Sequence, residues 1–182
     1  GLVSLWEYMR EKYPDLIIEN CAGGSLRQDI LTTAFTDTHW VSDNVSNESN
    51  LAQNFGATYL YPPEVNNHWT CYPADSESMD VRTCFVVNML GQLGLSGKIV
   101  EWDSSVQQHA REIIALYKQL RPVIRNSYVY HLTAQTDQKD PRSVLAVQYA
   151  DPTAGKSIVF AFQGGDEKLK ENLKLRGLAA EK

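Results

Sequence analysis

Two short stretches of the chain place reactive side chains beside turn residues. In the first, an apolar run ends in Glu19, Asn20 and Cys21, and the chain then turns on Gly23 and Gly24. A carboxylate, an amide and a thiol can bind polar groups and move protons, and glycines have no Cβ atoms to keep a ligand away from the backbone. This combination predicts a ligand site at the turn.

The second stretch, HWVSDN, contains a carboxylic acid, Asp43, three residues after Trp40. Packing beside an indole at a strand end would keep such an acid protonated near neutral pH, as a general acid requires. The alternative is structural, because an aspartate before a helical run is a common N-cap. The residues alone leave both interpretations open and favour the cap.

The thiol of Cys21 also has two interpretations. A cysteine nucleophile needs a histidine partner, for which His39 and His68 are the candidates. Otherwise Cys21 is a buried structural thiol, like many free cysteines. Cys71 and Cys84 complete a set of three cysteines without C-x-x-C spacing, which we interpret as reduced thiols. No cluster has metal-ligand spacing, so neither a metal nor an organic cofactor is predicted.

Composition narrows the classes of function. The 182 residues are 43% hydrophobic and 21% charged, with a net charge of -5, as in ordinary soluble globular proteins. Nucleic-acid binding usually needs a basic face, and a membrane helix needs about 20 apolar residues in a row. Neither feature is present, so the sequence predicts no nucleic-acid or membrane partner. No signal-peptide pattern opens the chain, and we leave the compartment open, with the cytoplasm favoured.

The reactive residues require elements that hold them, and apolar periodicity predicts alternating strands and helices up to about residue 124. Residues 16–18 are predicted as a buried strand, and a long apolar stripe behind Asp103 as a helix that Pro122 ends. The remaining predicted strands of this part are residues 38–42, 57–61 and 92–99. The remaining predicted helices are residues 1–13, 26–35 and 82–90, together with one that carries Leu51 and Phe55. Residues 66–80 are predicted as a long polar loop.

This alternation is typical of a doubly wound sheet or a barrel of parallel strands. In both folds the active-site groups lie at the carboxyl ends of strands. The predicted strands place residues 19–21, Asp43 and Tyr61 at those ends. The sequence therefore predicts one site formed by several strand ends.

The pattern changes after residue 124. Residues 128–135, 143–151, 156–163 and 173–177 read as short strands separated by turn residues, without helix-length spacers. Such spacing is typical of an antiparallel sheet or sandwich. The sequence thus divides into residues 1–124 and residues 125–182.

The order of four motifs resembles the α-galactosidases of glycoside hydrolase family thirty-six, in clan D. The motifs are ENCAGGSLRQD, HWVSDN, GATYLYPP and HWTCYP. They are similar to the family's E-N/S-C followed by R-F-D, its W-x-S-D-D/N, its G-x-S/T-x-x-Y-P and its H-V-S-x-x-P. The last run is matched only in part, by His68, Thr70 and Pro73.

The resemblance implies the C-terminal half of a (β/α)8 (TIM) barrel, strands five to eight, over residues 1–124, and a C-terminal antiparallel β-sandwich-like domain over residues 125–182, expected to be truncated. The family's aspartate nucleophile lies in a K-W-D motif on the fourth strand. No K-W-D occurs in these residues, and the only W-D is Trp102-Asp103, ahead of a helix. We therefore expect the isolated chain to be inactive and, with an exposed sheet edge and apolar face, to associate.

The resemblance also implies roles for individual residues. Asp43 would be the general acid/base, because retaining glycosidases use one carboxyl as nucleophile and another as acid and base. The residues expected to bind the sugar are Cys21, Gly23, Gly24, Arg27 and Trp40. Glu19, Asn20 and His68 are expected behind them, with His68 and Trp69 near the pocket rim. Structural alternatives are a surface ion pair for Arg27 and barrel filling for Trp40.

The implied partner is an α-galactoside oligosaccharide, and the parent protein is a candidate homo-oligomer. Ser25, Leu26 and Gln28 depart from the family motif and bear on whether the sugar is galactose or its 2-acetamido relative. Two alternatives to hydrolysis remain. One is transglycosylation of the raffinose or stachyose synthase type, and the other is a non-catalytic carbohydrate-binding module.

Overall fold

The computed structural model describes residues 1–71, 80–135, 144–164 and 172–178, and at positions 47 and 48 the backbone only. Its first part alternates strands and helices. The elements are α1 (Leu2–Lys12), β1 (Glu19–Asn20), α2 (Ile30–Thr33), β2 (Thr38–Trp40), α3 (Asn47–Ala57), β3 (Asn66–Cys71), α4 (Val81–Asn88), β4 (Gln92–Ser96) and α5 (Ser104–Arg125). The predicted α5 and the helices containing Phe55 and Phe85 are confirmed, as is a strand that starts at Gln92.

The four strands form one parallel sheet in the order β1-β2-β3-β4. Neighbours in space are neighbours in sequence, and helices connect most of them, which is how consecutive strands of a (β/α) barrel are arranged. The predicted α/β class with a parallel, barrel-type sheet is therefore confirmed.

The second part is antiparallel. Its strands are β5 (Tyr128–His131), β6 (Val144–Asp151) and β7 (Lys156–Gln163), ordered β5-β6-β7. The predicted strand at residues 173–177 is wrong. There the backbone N–H and C=O of Arg176 bond to the side chain of Gln148 at 2.9 and 2.8 Å instead of joining a ladder.

One hydrophobic core joins the two sheets. Helix α5 contributes Val106 and Ile113, and β6 and β7 contribute Tyr149 and Phe160, all of them buried. The Tyr149 hydroxyl donates to the carbonyl of Leu90 across the junction, at 2.6 Å. The division at residues 124 and 125 stays a prediction, since the parts on either side pack as a continuous unit.

The strand predicted at residues 16–18 is wrong. Leu16 and Ile17 are exposed, and the strand consists of Glu19 and Asn20. β1 pairs in the sheet with β2. Before it, Arg10 donates to the Leu16 carbonyl, and Asp37 bonds to both backbone groups of Ile18, with its carboxylate to the amide and its own amide to the carbonyl. Leu16 and Ile17 thus lie exposed beside a sheet edge, and association of the chain stays a prediction.

The predicted third strand is also displaced. Residues 57–61 end α3 and turn, with the amides of Leu60 and Tyr61 donating to Ala57. The third strand is β3, inside the segment predicted as a loop. Its first residue, Asn66, is buried, and its side-chain oxygen bonds to His39 of β2 at 2.7 Å. Tyr61 therefore precedes β3, and its predicted position at a carboxyl end is wrong.

Two smaller expectations also differ from the structure. The helix predicted over residues 26–35 is reduced to the four residues of α2. Pro122 lies inside α5 rather than at its end. Its missing N–H falls on an exposed side of the helix, and the following Val123 and Ile124 are buried in the core, so packing continues the helix to Arg125.

Candidate active site at the carboxyl edge of the parallel sheet

The strand register divides the parallel sheet into two faces. Asn20, His39 and His68 point toward the helices, where each is buried. The opposite side, here called the open face, carries the alternate residues. These are Glu19, Thr38, Trp40, Asn67, Trp69, Cys71, Gln92, Gly94 and Ser96. The open face is polar and aromatic. The face toward the helices is mixed, with these buried polar side chains beside Leu93 and Leu95 of β4.

The glycine turn after β1 lies against the end of β2. Gly24 has φ +75°, and a Cβ added to it would lie 3.0 Å from both the Asp43 amide nitrogen and the Ser42 Cα. Gly23 has φ +56° and is exposed. The structure therefore brings the two predicted strand ends together, and the missing side chain at position 24 permits their contact.

Asp43 is not a helix cap. Ser46 caps α3 by accepting from the Ser49 amide, and the Asp43 carboxylate instead accepts from Trp40 Nε1 at 2.8 Å. Trp40 is buried, but the Asp43 carboxyl is exposed, so the described residues do not bury it as expected. The carboxyl is oriented by one bond and remains accessible to a ligand.

Cys21 follows β1 and is exposed. Its candidate partners as a nucleophile, His39 and His68, are each 1% exposed and face the helices on the other side of the sheet. Burial lowers the pKa of both, that of His68 to about 3 with His39 contributing. Cys21 therefore has no histidine partner among the two candidates, and it is not a buried structural thiol. It is an exposed thiol at the end of β1.

His68 does not lie on the pocket rim. Its ring lies behind the sheet, with its centroid 6.4 Å from that of Trp40. It can support the indole from the helix side and cannot reach a ligand above the open face.

Asn20 and Arg27 act on the turn in different ways. Asn20 Nδ2 donates to the Arg27 carbonyl at 2.8 Å, and Thr32 Oγ1 donates to the same oxygen at 2.6 Å. The Arg27 side chain is exposed, and among the described residues it forms no ion pair. The backbone at residue 27 is fixed, and its guanidinium is available to bind a polar ligand.

Glu19 lies on the open face, where its Oε1 accepts from Asn67 Nδ2 at 2.5 Å. Thr38 bonds to Gln92 in the same way, at 3.0 Å. These bonds cross-link side chains of the open face. Glu19 thus lies on the open face below the carboxyl edge, and its supporting role stays a prediction.

Sequence reasoning missed the aromatic pair of the open face. The rings of Trp40 and Trp69 are 4.3 Å apart between centroids, tilted by 44°. An interpretation of residues 66–71 as a strand would have placed Trp69 on the same face as Trp40, because Trp40 pairs with Asn67, two residues before Trp69. Pro73, of the same motif, lies outside the described residues.

A cavity of about 630 Å³ opens at the same edge, above β3 and β4. Cys71 and Ser96, the last residues of those strands, line it, together with charged side chains of Lys98, Glu101 and Asp103. Hydrogen-bonding and charged groups of this kind suit a polar ligand such as a sugar. In the described part of the chain, no group of three His, Cys, Asp or Glu side chains could hold a metal ion, and no helix is long and apolar enough to cross a membrane.

The family model described as melibiase matches residues 1–127. The chain belongs to the melibiase family. It is 30% identical over 135 residues to α-galactosidase 2 of Pediococcus pentosaceus, covering 72% of this chain and 19% of that relative. It is 25% identical to the α-galactosidase of Escherichia coli, covering 97% of this chain and 25% of that relative.

Solved structures agree with this fold. AgaB, a GH36 α-galactosidase from Geobacillus stearothermophilus, superposes with a TM-score of 0.87 at 21% identity, over 98% of this chain and 25% of AgaB. A variant of AgaA from the same organism, solved in complex with raffinose, gives a TM-score of 0.86 at 21% identity, over 98% of this chain and 25% of AgaA. The chain thus spans about a fifth to a quarter of the length of these relatives.

Proposed function

We propose that these residues form the acid/base part of the active site of a retaining α-galactosidase, with Asp43 as the general acid and base. The observation that carries the proposal is the geometry of one carboxylate. It lies at the carboxyl edge of the sheet, accessible, oriented by Trp40, and in contact through its backbone with the glycine turn. Membership of the melibiase family supports the substrate class.

In this mechanism Asp43 acts twice. It gives its proton to the glycosidic oxygen as the bond from that oxygen to the anomeric carbon breaks and a second carboxylate attacks the carbon. It then takes a proton from water, whose oxygen attacks the anomeric carbon and releases the second carboxylate. That second group, implied by the family to lie in a K-W-D motif, is absent from these 182 residues.

The neighbouring residues would bind the terminal galactose. The thiol of Cys21, the backbone at Gly23 and Gly24, and the guanidinium of Arg27 offer the sugar hydroxyls partners at one edge. Trp40 would orient Asp43 and border the sugar, with Glu19, Asn20 and His68 supporting these residues from below and behind. A bare backbone at the turn suits a hexose, whose hydroxyls need close partners on several sides.

The test is Asp43→Asn in the complete gene product, the full polypeptide that contains these residues. Loss of a general acid/base typically costs 10²–10⁴-fold in rate, so kcat for raffinose should fall by about 10²–10⁴-fold. Hydrolysis of a nitrophenyl α-galactoside should fall less at the bond-breaking step, because its leaving group needs little protonation. Azide, a nucleophile that needs no base, should restore turnover of the nitrophenyl substrate and give an α-galactosyl azide.

Asp15→Asn is the matched control. Asp15 is an exposed carboxylate that precedes β1, so it lies at the amino ends of the strands and not at their carboxyl ends. It should leave kcat for raffinose unchanged. Full raffinose hydrolysis by the Asp43→Asn protein would refute the assignment. Product analysis with an added acceptor sugar separates hydrolysis from transglycosylation.

A further inference from the structure

Trp69 departs from the family motif at a structurally special position. The run H-V-S has valine where this chain has tryptophan, between His68 and Thr70. His68 and Thr70 are almost fully buried against the helices, whereas Trp69 is on the open face and 40% exposed. The substitution therefore adds a large aromatic surface to the side of the sheet that carries the candidate site.

The structure holds this indole in place from two sides. On one side lies Trp40, 4.3 Å away between ring centroids. On the other, a Cβ at Gly94 would lie 2.5 Å from Trp69 Cδ1, so only glycine at that position of β4 leaves room for the ring. The Trp69 carbonyl also accepts from Asn50 of α3, at 3.1 Å. A ring held in this way is preorganised for stacking and loses little freedom when a ligand binds.

Trp69 is connected to the catalytic candidate on one side and to the cavity on the other. Trp40, its ring neighbour, donates to Asp43 at 2.8 Å. Cys71, two residues further along β3 on the same face, lines the cavity at the carboxyl edge. Trp69 thus lies below the space between Asp43 and that cavity.

A galactosyl ring fits such a surface. Its axial hydroxyl at carbon 4 leaves the C–H groups of carbons 3, 4 and 5 together on the opposite face, which forms one apolar patch. Glucose lacks this continuous patch, because its carbon 4 hydroxyl is equatorial. Aromatic side chains have a flat apolar face and pack on other apolar surfaces in preferred geometries. An indole below the sugar would therefore favour galactose over glucose.

We infer that Trp69, with Trp40 beside it, forms an aromatic floor that stacks on the apolar face of the terminal galactosyl ring and contributes to the selection of galactose over glucose. This inference rests on the proposed function. It adds a specificity-determining residue that the family motif does not contain, and it gives Gly94 a positioning role.

The test compares Trp69→Val and Trp69→Phe with the unchanged complete gene product. Valine restores the residue of the family motif, and phenylalanine keeps a smaller ring. The readouts are the inhibition constants of free galactose and free glucose against nitrophenyl α-galactoside hydrolysis, together with the thermal midpoint. Loss of one aromatic contact should raise the galactose constant of Trp69→Val by about three- to tenfold, leave the glucose constant nearly unchanged, and be partly restored in Trp69→Phe.

Tyr128→Val is the control, because Tyr128 is an exposed aromatic residue on β5, outside the parallel sheet. It should change neither constant. If the ratio of the galactose constant to the glucose constant is unchanged in both Trp69 variants, Trp69 only fills space and the inference is overturned, whether or not the thermal midpoint falls. The proposed function still stands in that case, provided that the unchanged protein hydrolyses an α-galactoside. If the unchanged protein hydrolyses no α-galactoside, the proposed function fails, and the inference fails with it.

Discussion

At the scale of single residues, two glycines with the same unusual backbone conformation have different surroundings. Gly24 has φ +75° and is packed against the backbone of Ser42 and Asp43. Gly155, in the turn between β6 and β7, has φ +61° with nothing within 4 Å of an added Cβ. At both positions the positive φ angle disfavours a residue with a side chain. Only at position 24 would an added Cβ also collide with neighbouring backbone atoms.

This difference yields a prediction. Gly155→Ala should lower the free energy of unfolding by about 1–2 kcal/mol, the cost of a left-handed conformation for alanine. Gly24→Ala should cost more, because the Cβ displaces the turn from the strand end, and it should also raise KM for an α-galactoside. Urea unfolding and steady-state kinetics of the complete gene product measure both effects. Equal losses of stability in the two variants, with equal KM, would contradict a contact role for position 24.

At the scale of elements, the short helix α2 fixes the turn that precedes it. Asp29 accepts from the Thr32 amide, and Thr32 Oγ1 accepts from the Asp29 amide, which completes a capping box. The same hydroxyl donates to the Arg27 carbonyl. Four residues of helix are too few to be stable alone, so their value lies in holding the backbone at Arg27.

Asp29→Ala should therefore lower the free energy of unfolding by about 1 kcal/mol, the usual value of an N-cap. Asp29→Asn is the matched control, because asparagine caps about as well as aspartate. If Arg27 binds the sugar, the alanine variant should also show a higher KM with little change in kcat. A KM that rises equally in the asparagine variant would mean that the charge of Asp29, and not its cap, affects binding.

At the scale of the whole molecule, two buried histidines and the half-buried His131 make stability depend on pH. Burial lowers the pKa of His39, His68 and His131, against hydrogen bonds that raise it at His39 and His131. As the pH falls below 6.5, the ordinary pKa of histidine, these side chains become protonated in the unfolded chain but stay neutral in the folded chain. Stability is therefore lost from about pH 6.5 downward, toward pH 3 for His68.

The expected size can be given for His68, which is 1% exposed. When the pH is lowered from 7.5 to 5.0, the free energy of unfolding should fall by about 2 kcal/mol, because His68 is buried in its neutral form. Carboxylates contribute at lower pH, because Asp37 and Asp80 have pKa values below their ordinary 3.8. Urea unfolding at the two pH values should show the loss in the unchanged protein and a smaller loss in His68→Gln. The same loss in both would exclude His68 as its source.

The sequence alone determined the features whose cause is local. The apolar stripe of α5, the alternating strands β6 and β7, and the motifs around Asn20 and Asp43 each depend on nearby residues, and they were sufficient to predict the α/β class and the family. Two strand ends were also correctly predicted to meet at one edge, because parallel strands share their direction.

Features whose cause is distant in the sequence depend on how the elements pack. β3 buries polar side chains whose hydrogen-bond partners lie on other elements, His39 for Asn66 and Asn88 for Thr70, and no local pattern shows those partners. The bond from Trp40 to Asp43 and the room that Gly94 leaves for Trp69 likewise depend on contacts between elements. Polar burial and close packing are stabilised by partners that are far apart in sequence, so the shape of the candidate site became visible only in the folded chain.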